Sequence, residues 1–259
     1  MTDSADPIAQ PDLAYLDPGD GRCIAIRHRR AADSAATLLF LPGYASDMEG
    51  TKAVAVDRFA AERGLGCVRI DYSGTGSSGG ELGDGTLDRW LDEVVAAIDL
   101  LLPDGPVVIV GSSMGGWLGL HAAMRRPGRV AGLIGLAAAP DFTDWGFDPH
   151  QRAMLVELGR IEQPSDDGGP PQVVHRSLWQ SGVALRLLSS PIAVDCPVRL
   201  VHGDADGVVP IGVPFKLVEL IRSGDVQLRL IKGAGHRLSD PRALAAMIGE
   251  LESMLENIP

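Results

Sequence analysis

Seven short apolar runs punctuate this chain, and helical patterns lie between most of them. The runs cover residues 23–27, 37–41, 67–71, 107–111, 130–137, 198–202 and 226–231. They are rich in Val, Ile and Leu, and most are continuous rather than alternating. That is the signature of strands covered on both faces. The spacing predicts helices over residues 51–63, 87–102, 114–125, 211–221 and 240–255. The clearest carries Leu87, Trp90, Leu91, Val94, Val95, Ile98 and Leu102 on one stripe. Thr86 is placed to cap its start, Pro103 follows its end, and Ser239 is placed to cap the last helix. Strand alternating with helix implies an α/β chain whose mostly parallel central sheet is flanked by helices.

The alternation lapses between Pro140 and Pro191. This stretch holds Phe142, Trp145, Phe147, Leu155 and Trp179, and a loop signal at Asp166-Asp167-Gly168-Gly169-Pro170-Pro171. It reads as a short cap inserted above the sheet at residues 140–191. The expected organisation is one domain over residues 1–259, with residues 1–12 as a frayed tail. A formal net charge of −11, spread along the chain, argues against nucleic acid and gives little encouragement for anionic membranes. No apolar run approaches the ~18 residues needed to span a bilayer. The opening MTDSADPIAQPDLAY lacks the basic region and apolar core of a secretory signal, and the arginines of a mitochondrial leader. Three scattered cysteines, Cys23, Cys67 and Cys196, read as buried free thiols in a reducing compartment. The expected location is the cytoplasm.

Two segments match Gly-x-Ser-x-Gly, a weak signal unless its context fits. A nucleophilic serine needs a strand that ends in a tight turn opening a helix. Ser113 has this: Val107-Val108-Ile109-Val110 precedes it and a helical pattern follows from Met114. Gly111 and Gly115 leave room for the turn. Ser78, in Gly76-Ser77-Ser78-Gly79-Gly80, lies several residues past its strand, among more loop residues. The same loop spells Gly74-Thr75-Gly76-Ser77-Ser78-Gly79, formally a dinucleotide fingerprint. It opens no helix, so a structural loop is favoured over a nucleotide site.

A serine hydroxyl is nearly inert at neutral pH and needs a base, which in turn needs an orienting acid. Of the six histidines, His236 follows a predicted strand through Lys232-Gly233-Ala234-Gly235, whose small residues let a loop carry an imidazole over the sheet edge. His121 is mid-helix, His28 is at an early strand end, and His150 and His175 fall in the insertion. His202 ends a strand and is placed to brace the loop after it. Asp204 and Asp206 compete as the acid, and spacing does not choose between them. An oxyanion would need two donors. The candidates are the backbone N–H of Met114 and, from the loop Pro42-Gly43-Tyr44, that of Tyr44, since Pro42 has none.

These residues resemble the α/β-hydrolase superfamily across almost the whole chain. The resemblance implies the α/β-hydrolase fold, in which nucleophile, acid and base follow in the order Ser113, Asp206, His236. The pattern His-Gly-x-x-Asp-x-x-Val-Pro from His202 to Pro210 places the superfamily's acid at Asp206. Asp71 to Ser78 looks like a structural loop of these enzymes. A narrower resemblance, to the palmitoyl-protein thioesterase and acyl-glucuronide esterase subfamily, is carried by four further segments. They are Leu41-Pro42-Gly43-Tyr44, Gly50-Thr51-Lys52-Ala53, Gly111 to Trp117 and Ser190-Pro191-Ile192. It implies a cofactor-free, metal-free serine hydrolase of acyl thioesters or activated carboxylic esters working through an acyl-serine intermediate. The implied partner is a small acyl substrate or an S-acylated protein. Carbon–carbon bond hydrolysis of a ring-cleavage product and non-catalytic ligand binding use the same fold and stay open beside it. The opening segment does not read as the subfamily's leader and residues 140–191 match it poorly, so neither its organelle nor its particular substrate is expected to carry over.

Overall fold

The computed structural model describes residues 9–31, 36–102, 104–164, 171–256 and 258. Ten strands follow in chain order: β1 (Leu13–Leu16), β2 (Ile24–Arg29), β3 (Thr37–Leu41), β4 (Gly66–Ile70), β5 (Val107–Ser112), β6 (Val130–Leu136), β7 (Arg160–Gln163), β8 (Gln172–His175), β9 (Val198–Gly203) and β10 (Val226–Ile231). Eight of them form one sheet, ordered β1-β2-β4-β3-β5-β6-β9-β10, and β7 pairs with β8 apart from it. From β4 through β10 every neighbour in the large sheet runs parallel, while β1 and β2 are antiparallel at one edge. All seven expected strands are present. β1 was not among them, because an edge strand with Leu13 and Tyr15 exposed carries little apolar pattern.

The continuous apolar runs follow from burial on both faces. Leu39, Leu41, Val107 and Ile109 meet Trp90, Leu91 and Val94 of α2 (Leu87–Leu101) and Trp117 of α3 (Met114–Arg125). The residues between them, Leu38, Phe40, Val108 and Val110, meet Val56 and Phe59 of α1 (Thr51–Arg63) and Met247 and Leu251 of α8 (Pro241–Leu255). Each large side chain so buried contributes about 1.5–3 kcal/mol. Thr86 caps α2 through its side chain, as expected. The cap of α8 is Asp240 rather than Ser239: its carboxylate accepts the Arg242 and Ala243 N–H groups, and Pro241 fills the first helical position, which lacks a donor requirement. Pro103 and residues 166–170 lie outside the described residues, as do residues 1–8 of the expected tail. Residues 9–12 are tied to the sheet edge, since the Ala9 and Pro11 carbonyls accept from Arg29 and Arg27. Among the thiols, Cys67 is buried, Cys196 half-buried and Cys23 exposed, which corrects the expectation for Cys23. Its strand begins one residue later, at Ile24. Among the described residues no helix is long and apolar enough to cross a membrane.

Two parts of this frame bear on the site. The glycine-rich loop after β4 is a brace. Asp71 accepts the Met48 N–H at 2.7 Å and the Ser77 N–H at 2.8 Å. Ser78 Oγ donates to the Asp71 carbonyl and accepts the Ala25 N–H, so that hydroxyl clips β2 to the end of β4. Glu93, fully buried on α2, accepts both the N–H and the hydroxyl of Ser73 and pairs with Arg22. The loop has no room for a side chain at Gly76: φ is +49° and a Cβ there would lie 2.0 Å from Asp71 Oδ2. Gly76→Ala is therefore expected to destabilise the protein by about 3 kcal/mol or more, from strain plus displacement of a buried carboxylate. Urea denaturation measures this, and a loss under about 0.5 kcal/mol would contradict the packing described.

The segment between β6 and β9 is the second part. It holds α4 (Phe142–Trp145), α5 (Pro149–Leu158), the β7–β8 pair and α6 (Arg176–Ser181). It is fastened to the body of the molecule at several points. Trp117 Nε1 donates to the Leu185 carbonyl at 2.8 Å and the Leu87 N–H donates to Ser181 Oγ at 2.9 Å, while within the segment Asp141 accepts the Leu187 and Leu188 N–H groups, each at 2.8 Å. One helix of the sheet's outer layer, α7 (Gly212–Leu220), follows β9.

Candidate active site

Ser113 sits between β5 and α3 with φ +53° and ψ −116°, a conformation that side chains rarely adopt. Holding a residue there costs about 1–3 kcal/mol, which the surrounding structure must offset. Three backbone bonds do so: Ser113 N–H donates to the Leu136 carbonyl, and the Ser113 carbonyl accepts from Gly116 and Ala139. The flanking glycines are required by close approach. A Cβ at Gly111 would lie 2.4 Å from the Gly115 carbonyl oxygen, and one at Gly115 would lie 2.2 Å from that of Leu41. The turn thus puts the Ser113 hydroxyl above the C-terminal ends of the parallel strands.

His236 and Asp206 reach the same place from the loops after β10 and β9. His236 Nε2 is 3.1 Å from Ser113 Oγ, and His236 Nδ1 is 2.9 Å from Asp206 Oδ2. An ionised carboxylate only accepts, so Nδ1 carries the proton and Nε2 is left to accept from the serine. The Asp206 side chain is 1% exposed and that of His236 is 19% exposed. Burial pushes the Asp206 carboxyl up, but the hydrogen bond and charge of His236 and the N–H groups of Val209 and Val208 outweigh it, so its pKa lies below the ordinary 3.8. Asp206 Oδ1 accepts both of those N–H groups at 2.8 Å, which fixes the carboxylate plane. His202 supports the same loop: its Nε2 lies 3.2 Å from the Val209 carbonyl and 3.6 Å from Asp206 Oδ2. Burial lowers its pKa despite the nearby carboxylate. Asp204 faces elsewhere, pairing with Lys232 and accepting the Gly233 N–H.

Of the two expected backbone donors, Met114 follows the serine in sequence and Tyr44 belongs to a loop that packs against it. Met114 opens α3, so its N–H has no intrahelical acceptor. The loop Pro42-Gly43-Tyr44 lies against Ser113: a Cβ on Gly43 would be 3.3 Å from Ser113 Cβ. Two phenols hold that loop. Tyr72 donates to the Pro42 carbonyl at 3.2 Å, and Tyr44 donates to the Val173 carbonyl of β8 at 2.5 Å. Burial raises the Tyr44 pKa, which keeps the phenol protonated and donating. The Tyr44 phenol therefore links the loop beside Ser113 to the inserted β7–β8 pair, a contact between residues far apart in sequence that no spacing rule reveals.

Ser113 and His236 line a cavity of about 660 Å³. One wall is apolar: Met114, Phe142, Trp145, Phe147, Val174 and Val209. The insertion supplies four of these, and Phe142 packs edge-on against Trp117 at 5.6 Å between ring centroids. The lining also has a polar part, with Ser46, Thr51, Lys52, Arg237 and Ser239. Lys52 Nζ donates to the Arg237 carbonyl at 2.7 Å. Burial first, and then the Arg237 charge, lower the Lys52 pKa to about 8, with Asp206 acting in the other direction. Lys52 was visible in sequence only within the segment Gly50-Thr51-Lys52-Ala53; nothing in its spacing marked it as lining a cavity.

The family described as Serine aminopeptidase, S33 matches residues 32–163. The chain is 36% identical over 251 residues to Palmitoyl-protein thioesterase ABHD10, mitochondrial, of Homo sapiens, an alignment covering 95% of this chain and 81% of that protein. It is 27% identical over 236 residues to a monoacylglycerol lipase of Mycolicibacterium smegmatis, covering 80% of this chain and 82% of that one. The structure of alpha/beta hydrolase domain-containing protein 10 from mouse superposes with a TM-score of 0.86 at 33% identity, covering 95% of this chain and 98% of that one.

Proposed function

We propose a reaction for this chain, which belongs to the α/β-hydrolase family of ABHD10: hydrolysis of acyl thioesters and activated carboxylic esters through an acyl-serine intermediate. The observation that carries the reading is the Ser113–His236–Asp206 hydrogen-bonded chain at the edge of a cavity with an aromatic wall. Ser113 Oγ attacks the acyl carbonyl as its proton passes to His236 Nε2. The imidazolium is stabilised by Asp206 through Nδ1. The N–H groups of Met114 and Tyr44 receive the oxyanion. The bond to the leaving oxygen or sulfur then breaks, the leaving group takes the proton from His236, and the acyl-Ser113 ester remains. Water, deprotonated by the same imidazole, attacks that ester and releases the acid.

The cavity volume of about 660 Å³ suits a small-molecule ligand of ordinary size. The names of the relatives support an acyl substrate, and that of the human relative supports an S-acylated protein as one form of it. The three free thiols fit a reducing compartment, and the name of the human relative points to the mitochondrion rather than the expected cytoplasm. The test is a panel of acyl-CoA thioesters, S-acylated peptides, acyl glucuronides and simple esters over a series of acyl lengths. The expected result is turnover with a kcat/KM that rises with acyl length and falls once the chain outgrows the aromatic wall, about 1–3 kcal/mol being at stake per misfitted methylene. Absence of turnover across the whole panel would overturn the reading.

A further inference from the structure

We propose that Lys52 and Arg237 form a subsite for an anionic group carried on the leaving-group half of the substrate. The inference rests on the hydrolase reading above and refines it. It starts from an uncompensated charge. In a chain of net charge −11, buried and half-buried cations would be expected to find carboxylates. Arg22, Arg29, Arg69 and Arg199 each do so in the described structure. Lys52 has no carboxylate within 4.0 Å among the described residues; its ammonium donates to a backbone carbonyl and lines the cavity. Burial first, and then the neighbouring Arg237 charge, lower its pKa, and the more distant Asp206 carboxylate does not offset them.

The chemistry of the reaction says which half of the substrate this wall meets. His236 must deliver its proton to the departing atom, so groups beside His236 lie beside the leaving group. The carbonyl that Lys52 holds belongs to Arg237, the residue after His236. The aromatic lining comes instead from the inserted segment, through Phe142, Trp145 and Phe147. Thr51 and Lys52 also open the thirteen-residue helix α1, whose N-cap Gly50 offers no side-chain acceptor. The first N–H groups of that helix add partial positive charge to the same wall. Asp47 lines the cavity too, and its carboxylate is already engaged by the Glu49 N–H at 2.9 Å.

The test uses two esters that share an acyl group: 4-butanoyloxybenzoate and 4-butanoyloxybenzamide, isosteric leaving groups that differ by one negative charge. Each kcat/KM is divided by the ester's own hydroxide-catalysed rate. The unmodified enzyme is expected to favour the benzoate by about ten-fold, a preference that weakens as salt is raised. Lys52→Met is expected to bring the ratio near one, and Lys52→Glu to invert it. The ratio is the readout, because any loss transmitted through the His236 loop falls on both esters alike. A second measurement needs no variant: 4-hydroxybenzoate should inhibit the unmodified enzyme more strongly than 4-hydroxybenzamide. A ratio near one in the unmodified enzyme, or a preference that survives Lys52→Met, overturns the subsite while leaving the hydrolase reading intact. Failure to turn over either ester, with turnover elsewhere in the acyl panel, overturns the subsite alone, and failure across that panel as well overturns both.

Discussion

Ser113→Ala is expected to lower kcat by about 10⁴-fold or more on every acyl substrate while leaving the protein folded. The hydroxyl is the atom that would form the covalent bond, and no neighbouring group replaces it. Ser78, the other serine in a Gly-x-Ser-x-Gly context, is occupied in clipping β2 to β4. Alanine keeps the backbone at the same positive φ, so the turn and the cavity persist and ligand binding survives. A companion variant separates chemistry from stability. Ser113→Gly removes the same hydroxyl and relaxes a φ of +53°. Relief of about 1–3 kcal/mol of strain, less the entropy that glycine adds to the unfolded chain, should make it about 1 kcal/mol more stable than Ser113→Ala. That corresponds to about 2–4 °C in Tm for a chain of this size. Both variants should also lose labelling by a fluorophosphonate at residue 113. Thioesterase turnover at the original rate in either variant would remove Ser113 from the mechanism.

The strand–helix frame was legible because burial on both faces leaves runs such as Val107-Val108-Ile109-Val110 with no polar interruption. The same runs position the site, since each loop bearing a site residue leaves the C-terminal end of a parallel strand. Gly111 and Gly115 could be read because their lack of a side chain is itself a geometric statement, and the 2.4 Å and 2.2 Å approaches give it physical content. What local pattern could not supply was contact across the fold. The Tyr44 phenol on the Val173 carbonyl spans 129 residues. The Lys52 ammonium on the Arg237 carbonyl spans 185. Neither pair has a period, a cap or a turn signature to betray it. The edge strand β1 escaped for a different reason, that a strand covered on one side shows a short and weak pattern. The boundary at Asp240 escaped because serine and aspartate are equally good caps, and only the position of Pro241 decides between neighbours.

Asp206→Asn should reduce kcat by about 10³–10⁴-fold, whereas Asp204→Asn should change it by less than about three-fold. The sequence offers both aspartates within the same short loop, and their surroundings set them apart. In Asp206 one oxygen is committed to the Val208 and Val209 N–H groups, each at 2.8 Å. An asparagine must keep its carbonyl oxygen there, since its amide nitrogen cannot accept. The NH₂ group then faces His236 Nδ1, where Oδ2 stood at 2.9 Å. Nδ1 must become the acceptor, the proton moves to Nε2, and the imidazole no longer has a lone pair for the Ser113 hydroxyl. The geometry survives while the tautomer is wrong. Asp204 loses only its pairing with the exposed Lys232, and an asparagine oxygen still accepts the Gly233 N–H. Stability supplies an independent check. Because the folded Asp206 carboxyl lies below 3.8, the stability it contributes is fully present above that value and is lost as pH falls through the depressed one. The stability gap between the unmodified enzyme and Asp206→Asn should therefore close in acid. Equal losses of kcat in the two variants would mean that the imidazole is not oriented by Asp206.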